Sequence, residues 1–94
     1  MFPINRYATA HIYETVPHML QAFMWMCIDF LNIDADYLQV FELSEEQGMQ
    51  RIVHKQEVPE YSKEYLIPCA KPLSAKIFVI DDSEYATMLF ADEY

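Results

Sequence analysis

The spacing of apolar and polar positions changes period several times along the chain, and each change marks an element. "RYATAHIY", Arg6 to Tyr13, alternates with period two: Tyr7, Thr9, His11 and Tyr13 share one face, and Ala8, Ala10 and Ile12 the other. That is the pattern of a strand. Thr15 then offers a cap and Pro17 suits a first helical turn, so the spacing predicts a helix running to about Asn32. "IDADY" ends it with short polar residues. Tyr37 to Ser44 and Met49 to Glu57 read as the two strands of a hairpin around "EEQG", whose glycine supplies a positive φ. With a four-residue loop, Glu45 to Gly48, Glu42 faces Arg51, Val40 faces Val53, Phe41 faces Ile52, and Gln39 faces His54. Pro59 to Pro72 carries three prolines and reads as irregular, with one helical turn at "SKEY". "KIFVID", Lys76 to Asp81, is apolar enough for the inside of a sheet. "SEYATMLFADEY" reads as a strand returning by a hairpin from "DDSE", with Tyr85, Thr87 and Leu89 opposed to Ala86, Met88 and Phe90. A helix capped by Asp82 or Ser83 is the rival, and it lacks a clean apolar stripe. The sum is an α+β fold over residues 1–94. One long amphipathic helix packs on a mostly antiparallel sheet of about five strands, in the order β-α-β-β-β-β.

The helix is the unusual element. At 100° per residue, Gln21, Trp25, Asp29 and Asn32 fall within about 60° of His18. Every residue from Met19 to Leu31 outside that stripe is apolar. Leu20, Phe23, Cys27, Phe30 and Leu31 form the predicted centre of the buried face; Met19 and Met26 flank it on one side, Met24 and Ile28 on the other. The apolar arc is about 240°, against somewhat over 100° for an ordinary surface helix. One sheet face does not cover it. The remaining cover is the Pro59 to Pro72 segment, a second copy of the chain in a homodimer, or another protein. Trp25 stands among His18, Gln21 and Asp29, either under that segment with its indole N–H bonded or exposed as a contact residue. His18, Gln21, Trp25 and Asp29 are therefore the candidate interaction surface.

Charge sharpens the choice of partner. The net charge is −9, yet 53% of the residues are apolar, which argues for a folded domain over a disordered acidic chain. Met1 to Gly48 carry one cation against seven carboxylates, Met49 to Ile80 five against three, and Asp81 to Tyr94 none against five. Acidic ends flank a mildly basic middle. Direct binding to nucleic acid is disfavoured, because that affinity comes from cations displacing counterions. A basic protein surface is the complementary partner, with Asp81, Asp82, Glu84, Asp92 and Glu93 as candidate charge contacts; the alternative is that the charge only keeps the chain in solution. No apolar run approaches the length of about 20 residues that spans a bilayer. No leader-like start and no ligand-spaced cysteines are seen, so a reduced, cytoplasmic protein is the expectation.

Little points to catalysis. The single glycine, Gly48, excludes glycine-rich phosphate loops and a GxSxG nucleophile. His11, His18 and His54 are not at ligand spacing, and HExxH is absent, so no metal or cofactor is expected. Cys27 reads as a small buried hydrophobe, and "IPCAKP" gives Cys69 no activating context. The pairs Asp34/Asp36 and Asp81/Asp82 lie at element ends, where turns and caps account for them. A non-enzymatic protein-interaction module is the expectation, and a small enzyme the contrasting class.

"RYAT", "MWMCID", "DYLQVFEL", "QRIVHKQEVPEY" and "TMLFADEY" together resemble a small family of Gram-positive bacteria and their mobile elements, domain of unknown function nine-sixty. The resemblance spans nearly the whole chain, most specifically at "DYLQVFEL" and "IVHKQEVPEY". In that family a basic residue and a glycine often follow the first threonine, where this chain has Ala10 and His11. The resemblance implies a fold and a genomic setting. It brings no activity and no catalytic residue. One pointed form of the expectation is an acidic phage or mobile-element protein that occupies a basic, nucleic-acid-binding surface of its target.

Overall fold

The computed structural model describes residues 2–94. The elements in order are β1 (Arg6–Ala8), α1 (Ala10–Thr15), α2 (His18–Asp29), β2 (Leu38–Glu46), β3 (Met49–Gln56), β4 (Tyr61–Ile67), β5 (Ala75–Asp81) and β6 (Ala86–Phe90), with a 3₁₀ turn at Ala91–Glu93. The strands make one sheet in the order β1-β6-β5-β2-β3-β4. β1 runs parallel to β6, and every other pair is antiparallel. The fold is α+β, as the pattern of elements predicts, with one substantial helix on a mixed, mostly antiparallel sheet.

Two elements depart from the sequence reading. The expected strand Arg6 to Tyr13 stops at Ala8, and α1 follows. Thr9 is the cap of α1: its side-chain oxygen accepts the Ile12 N–H at 3.3 Å. Ile12 and Val16 are both buried at helical spacing, and that i, i+4 pair outweighs the period-two pattern of the tyrosines. The Pro59 to Pro72 segment is not irregular with a helical turn at "SKEY". Those residues lie in β4, which pairs with β3 from Gln56↔Tyr61 to Gln50↔Ile67. As an edge strand it mixes apolar and charged residues, so its period is weak.

The hairpin also differs in detail. Its loop is two residues, Gln47 and Gly48, both at positive φ (53° and 78°), the turn that matches strand twist. The register is accordingly displaced by two, with Glu42 opposite Val53 and Phe41 opposite His54. A two-residue shift preserves which face each side chain occupies. The C-terminal segment forms the strand β6, with Ala86, Met88 and Phe90 buried, and the helical rival does not form.

Both helices lie on one face of the sheet. Ile12, Val16, Leu20, Met24, Cys27 and Ile28 meet Phe41, Leu43, Ile52, Ile77, Val79 and Met88 there. The centre of the buried arc of α2 therefore lies at Leu20, Met24, Cys27 and Ile28, about 50° from the predicted one. Phe23 is only half-buried, and Phe30, predicted central, is 77% exposed. Gln21, assigned to the outer stripe, is turned inward instead. It donates to Val16 O at 2.8 Å and so satisfies a carbonyl at the end of α1. With the helix in this phase, Met19, Ala22, Met26 and Phe30 lie outside.

Candidate functional site

The four residues proposed from the helix meet different fates. His18 is exposed, its ring 4.8 Å from Tyr13. Gln21 holds α1 to α2. Asp29 takes both terminal nitrogens of Arg6, at 2.6 and 3.0 Å, and the Arg6 guanidinium holds its carboxyl below the usual carboxylate range. The same guanidinium lies 4.9 Å from the centre of the Trp25 ring, which is half-buried. Trp25 and Asp29 thus tie α2 to β1, and the Pro59 to Pro72 segment does not supply this cover. That segment meets the opposite flank, where Tyr65 packs edge-on to Phe23 at 5.2 Å. Burial pushes the Cys27 thiol up, as befits a small core residue.

The acidic candidates are not one patch. Asp81, Asp82 and Glu84 lie at the β5–β6 turn, and Asp92 and Glu93 at the far end of β6. Asp81 is spent on its turn, accepting Ser83 N–H at 2.7 Å. Glu93 accepts from Thr9 Oγ1 at 2.9 Å and from Phe90 N at 2.8 Å. Asp82, Glu84 and Asp92 remain exposed.

What the sequence reading missed is the second face of the sheet. The register places Leu38 and Val40 of β2, Val53 of β3, Leu66 of β4, Phe78 and Ile80 of β5, and Leu89 of β6 there. Among the described residues no α-helix lies over them. Val53 is shielded by charged neighbours: Lys55 pairs with Glu42 at 3.1 Å, and Arg51 with Glu64, so aliphatic stems cover the apolar centre. Toward one end, a cleft of about 890 Å³ opens between Asp36–Leu38 and the residues around Val58, with Tyr37 and Tyr61 at its sides. The near-continuous apolar runs in "YLQVFELS" and "KIFVID" carry this signal, because both faces of these strands hold apolar residues.

Behind the cleft stands a buried polar group. Gln39, Gln50, His54 and Gln56 occupy the helix-covered face at 3% exposure or less. Gln39 and His54, placed opposite each other by the sequence reading, do meet: Oε1 of Gln39 lies 2.6 Å from His54 Nε2. Gln39 Nε2 already donates to Gln56 Oε1 and Asp36 O, so the histidine is the donor. Its ring stacks on Phe41 at 4.5 Å, and burial lowers its pKa to about 4. His11 stands apart, its ring 4.5 Å from Phe90. Among the described residues, no group of three or more His, Cys, Asp or Glu side chains is placed to hold a metal ion, and no helix is long and apolar enough to cross a membrane.

Comparison with curated proteins gives no match. Among solved structures, the crystal structure of a protein of unknown function from Enterococcus faecalis is similar. It is 27% identical, with a TM-score of 0.84 over 96% of this chain and 90% of that one. The family described as "Staphylococcal protein of unknown function (DUF960)" matches residues 5–93, a span that takes in every strand and both α-helices, and the protein belongs to that family.

Proposed function

We propose that this protein is a non-enzymatic binding module whose partner is another protein, and that the open sheet face is the surface it uses. The observation that carries the reading is the set of half-buried apolar side chains on that face, Leu38, Val40, Phe78 and Ile80, with no α-helix over them among the described residues. Side chains of this kind, rimmed by charged pairs, fit the apolar centre and polar margin of a protein interface. The histidines support a role without catalysis: His54 is sealed in the core, and His11 and His18 rest on aromatic rings. Two unpaired thiols, Cys27 and Cys69, suit a reducing compartment such as the cytoplasm.

A second reading draws on charge. Asp82, Glu84 and Asp92, the candidate charge contacts that stay exposed, favour a partner with a basic surface, including one that otherwise holds nucleic acid. Reversing these three to lysine is then expected to slow association and leave folding intact.

Photo-crosslinking tests the main reading. A photoreactive phenylalanine replaces Phe78 on the open face or, as a control, Glu14 on the exposed side of α1, in the tagged chain expressed in its own host. A discrete protein adduct from position 78 and none from position 14 is the expected outcome. Equal adducts from both positions, or none from 78, would remove the open face as the binding surface.

A further inference from the structure

One buried amide fastens together two segments distant in sequence, and the cleft lies between them. Gln56 is 3% exposed. Its Nε2 donates to Asp34 O and Pro59 O, both at 2.9 Å. Its Oε1 accepts from Asp36 N at 3.0 Å and from Gln39 Nε2 at 2.7 Å. Both donors and both acceptor sites of the amide are used. Asp36 Oδ2 adds a second tie, accepting the Val58 N–H at 3.1 Å. The walls of the cleft are therefore held by a network centred on a buried amide, and its shape exists before any ligand arrives.

The lining selects a sign of charge. Four carboxylates, Asp36, Glu42, Glu57 and Glu60, stand against two cations, Lys55 and Lys76. Glu42 and Lys55 pair with each other, and the Lys76 ammonium lies 6.0 Å from the Phe78 ring. Glu57 and Glu60 are exposed and have no ion-pair partner among the described residues. Tyr37, exposed beside the cleft, adds an aromatic face that attracts a cation, whereas the Tyr61 ring turns to the covered side and packs on His54 at 5.3 Å. Leu38 and Val40 supply an apolar floor for an aliphatic stem.

We propose that this cleft receives an arginine or lysine side chain from an extended, basic segment of the partner protein; the proposal rests on the reading of the open face as a protein-binding surface. Arginine fits better than lysine, because a planar guanidinium stacks on tyrosine while its fork meets carboxylates. The prebuilt walls favour affinity, since little ordering remains to be done on binding.

The probe is an end-capped penta-arginine peptide titrated into the ¹⁵N-labelled chain and followed by NMR. Amide shifts are expected to centre on Tyr37, Val58 and Tyr61, with penta-lysine binding more weakly. Glu57→Gln with Glu60→Gln is expected to weaken binding about fivefold or more, while Asp82→Asn with Glu84→Gln leaves it unchanged. Shifts centred on Asp82, Glu84 and Asp92, wild-type affinity in the Glu57/Glu60 double variant, or no binding at all would overturn the proposal. Crosslinking from position 78 judges the open face separately, so adducts there without a peptide response at the cleft remove the cleft alone.

Discussion

The two faces of the sheet solve opposite problems. On the covered face, polar side chains are buried, and each of the three glutamine amides has a fixed set of partners. Gln50 bonds Leu73 through both ends of its amide, at 3.0 and 2.9 Å, and so holds the β4–β5 connection. Gln56 holds the α2–β2 connection in the same way. On the open face, apolar side chains lie beside charged ones that pair flexibly with neighbours and water. A buried amide has one satisfactory arrangement and fixes the chain path; an exposed ion pair has many and fixes little. The covered face therefore specifies the fold, and the open face is free to be shaped by what it meets.

Truncating the same residue type on each face gives the largest contrast. Phe41→Ala is expected to cost about 3–5 kcal/mol, because Phe41 is fully buried and removes a neighbour from His54 as well. Phe78→Ala, half-buried on the open face, is expected to cost about 1 kcal/mol. Urea unfolding of the two variants measures both. Equal losses would mean that the open face is as tightly closed as the covered one.

Next in size is the amide hub. Gln56→Ala leaves the Asp36 N–H and the Asp34 and Pro59 carbonyls without their partner, at an expected loss of about 2–4 kcal/mol. Lys55→Ala, adjacent in β3 but facing outward in an exposed ion pair, is expected to lose less than about 1 kcal/mol. If the two variants unfold at one urea concentration, the network is not what fixes the covered face.

Acid reads the same network. His54 Nδ1 is buried without a partner, so a proton there finds no acceptor. The folded pKa lies at about 4, while an unfolded histidine titrates at its ordinary 6.5. Below pH 6.5 the unfolded chain therefore binds a proton that the native state refuses, and stability falls with pH until about 4. The slope is about 1.4 kcal/mol per pH unit, or about 2 kcal/mol between pH 6.5 and 5. The contribution is fully present above pH 6.5. His54→Phe is expected to flatten this slope in urea midpoints measured from pH 7 to 5; an unchanged slope would place the acid sensitivity elsewhere.

How much of this was legible follows from where the determining bonds lie. The hairpin, β5 and β6 could be read because their turns and alternation are local. The assignment of Gln39 and His54 to one face survived a wrong loop length because the error was even. α1 is hard to read because its one buried position, Ile12, also fits a strand, and the Thr9 cap and the burial of Val16 four residues on distinguish the two. β4 was missed because an edge strand has one neighbour and little need of a clean period. Periodicity sets the helical phase with Gln21 outside, whereas in the structure its amide bonds the carbonyls of Ile12 and Val16 at the end of α1, a contact that no periodicity records. The cleft needs Asp36 and Val58 side by side, a contact across 22 positions that no local pattern records.

The smallest expected effect extends the comparison to α2. Phe30 and Leu20 are both apolar, and the sequence alone assigns both to the buried side. Leu20 is 3% exposed and faces the covered side of the sheet, whereas Phe30 is 77% exposed just past the end of the helix. Leu20→Ala is expected to cost about 2–5 kcal/mol, from lost burial and the cavity it leaves. Phe30→Ala removes a larger side chain that is mostly in water already, and its expected cost is within about 0.5 kcal/mol. Because the ring lies outside the core, its removal is also expected to leave the near-ultraviolet dichroism of Trp25 unchanged. The decisive measurement is urea unfolding of the Phe30 variant at two protein concentrations a hundredfold apart. A loss of several kcal/mol at both would return Phe30 to the core and restore the helical phase read from periodicity. A loss only at the higher concentration would show that a second copy covers the Met19, Met26 and Phe30 side of the helix.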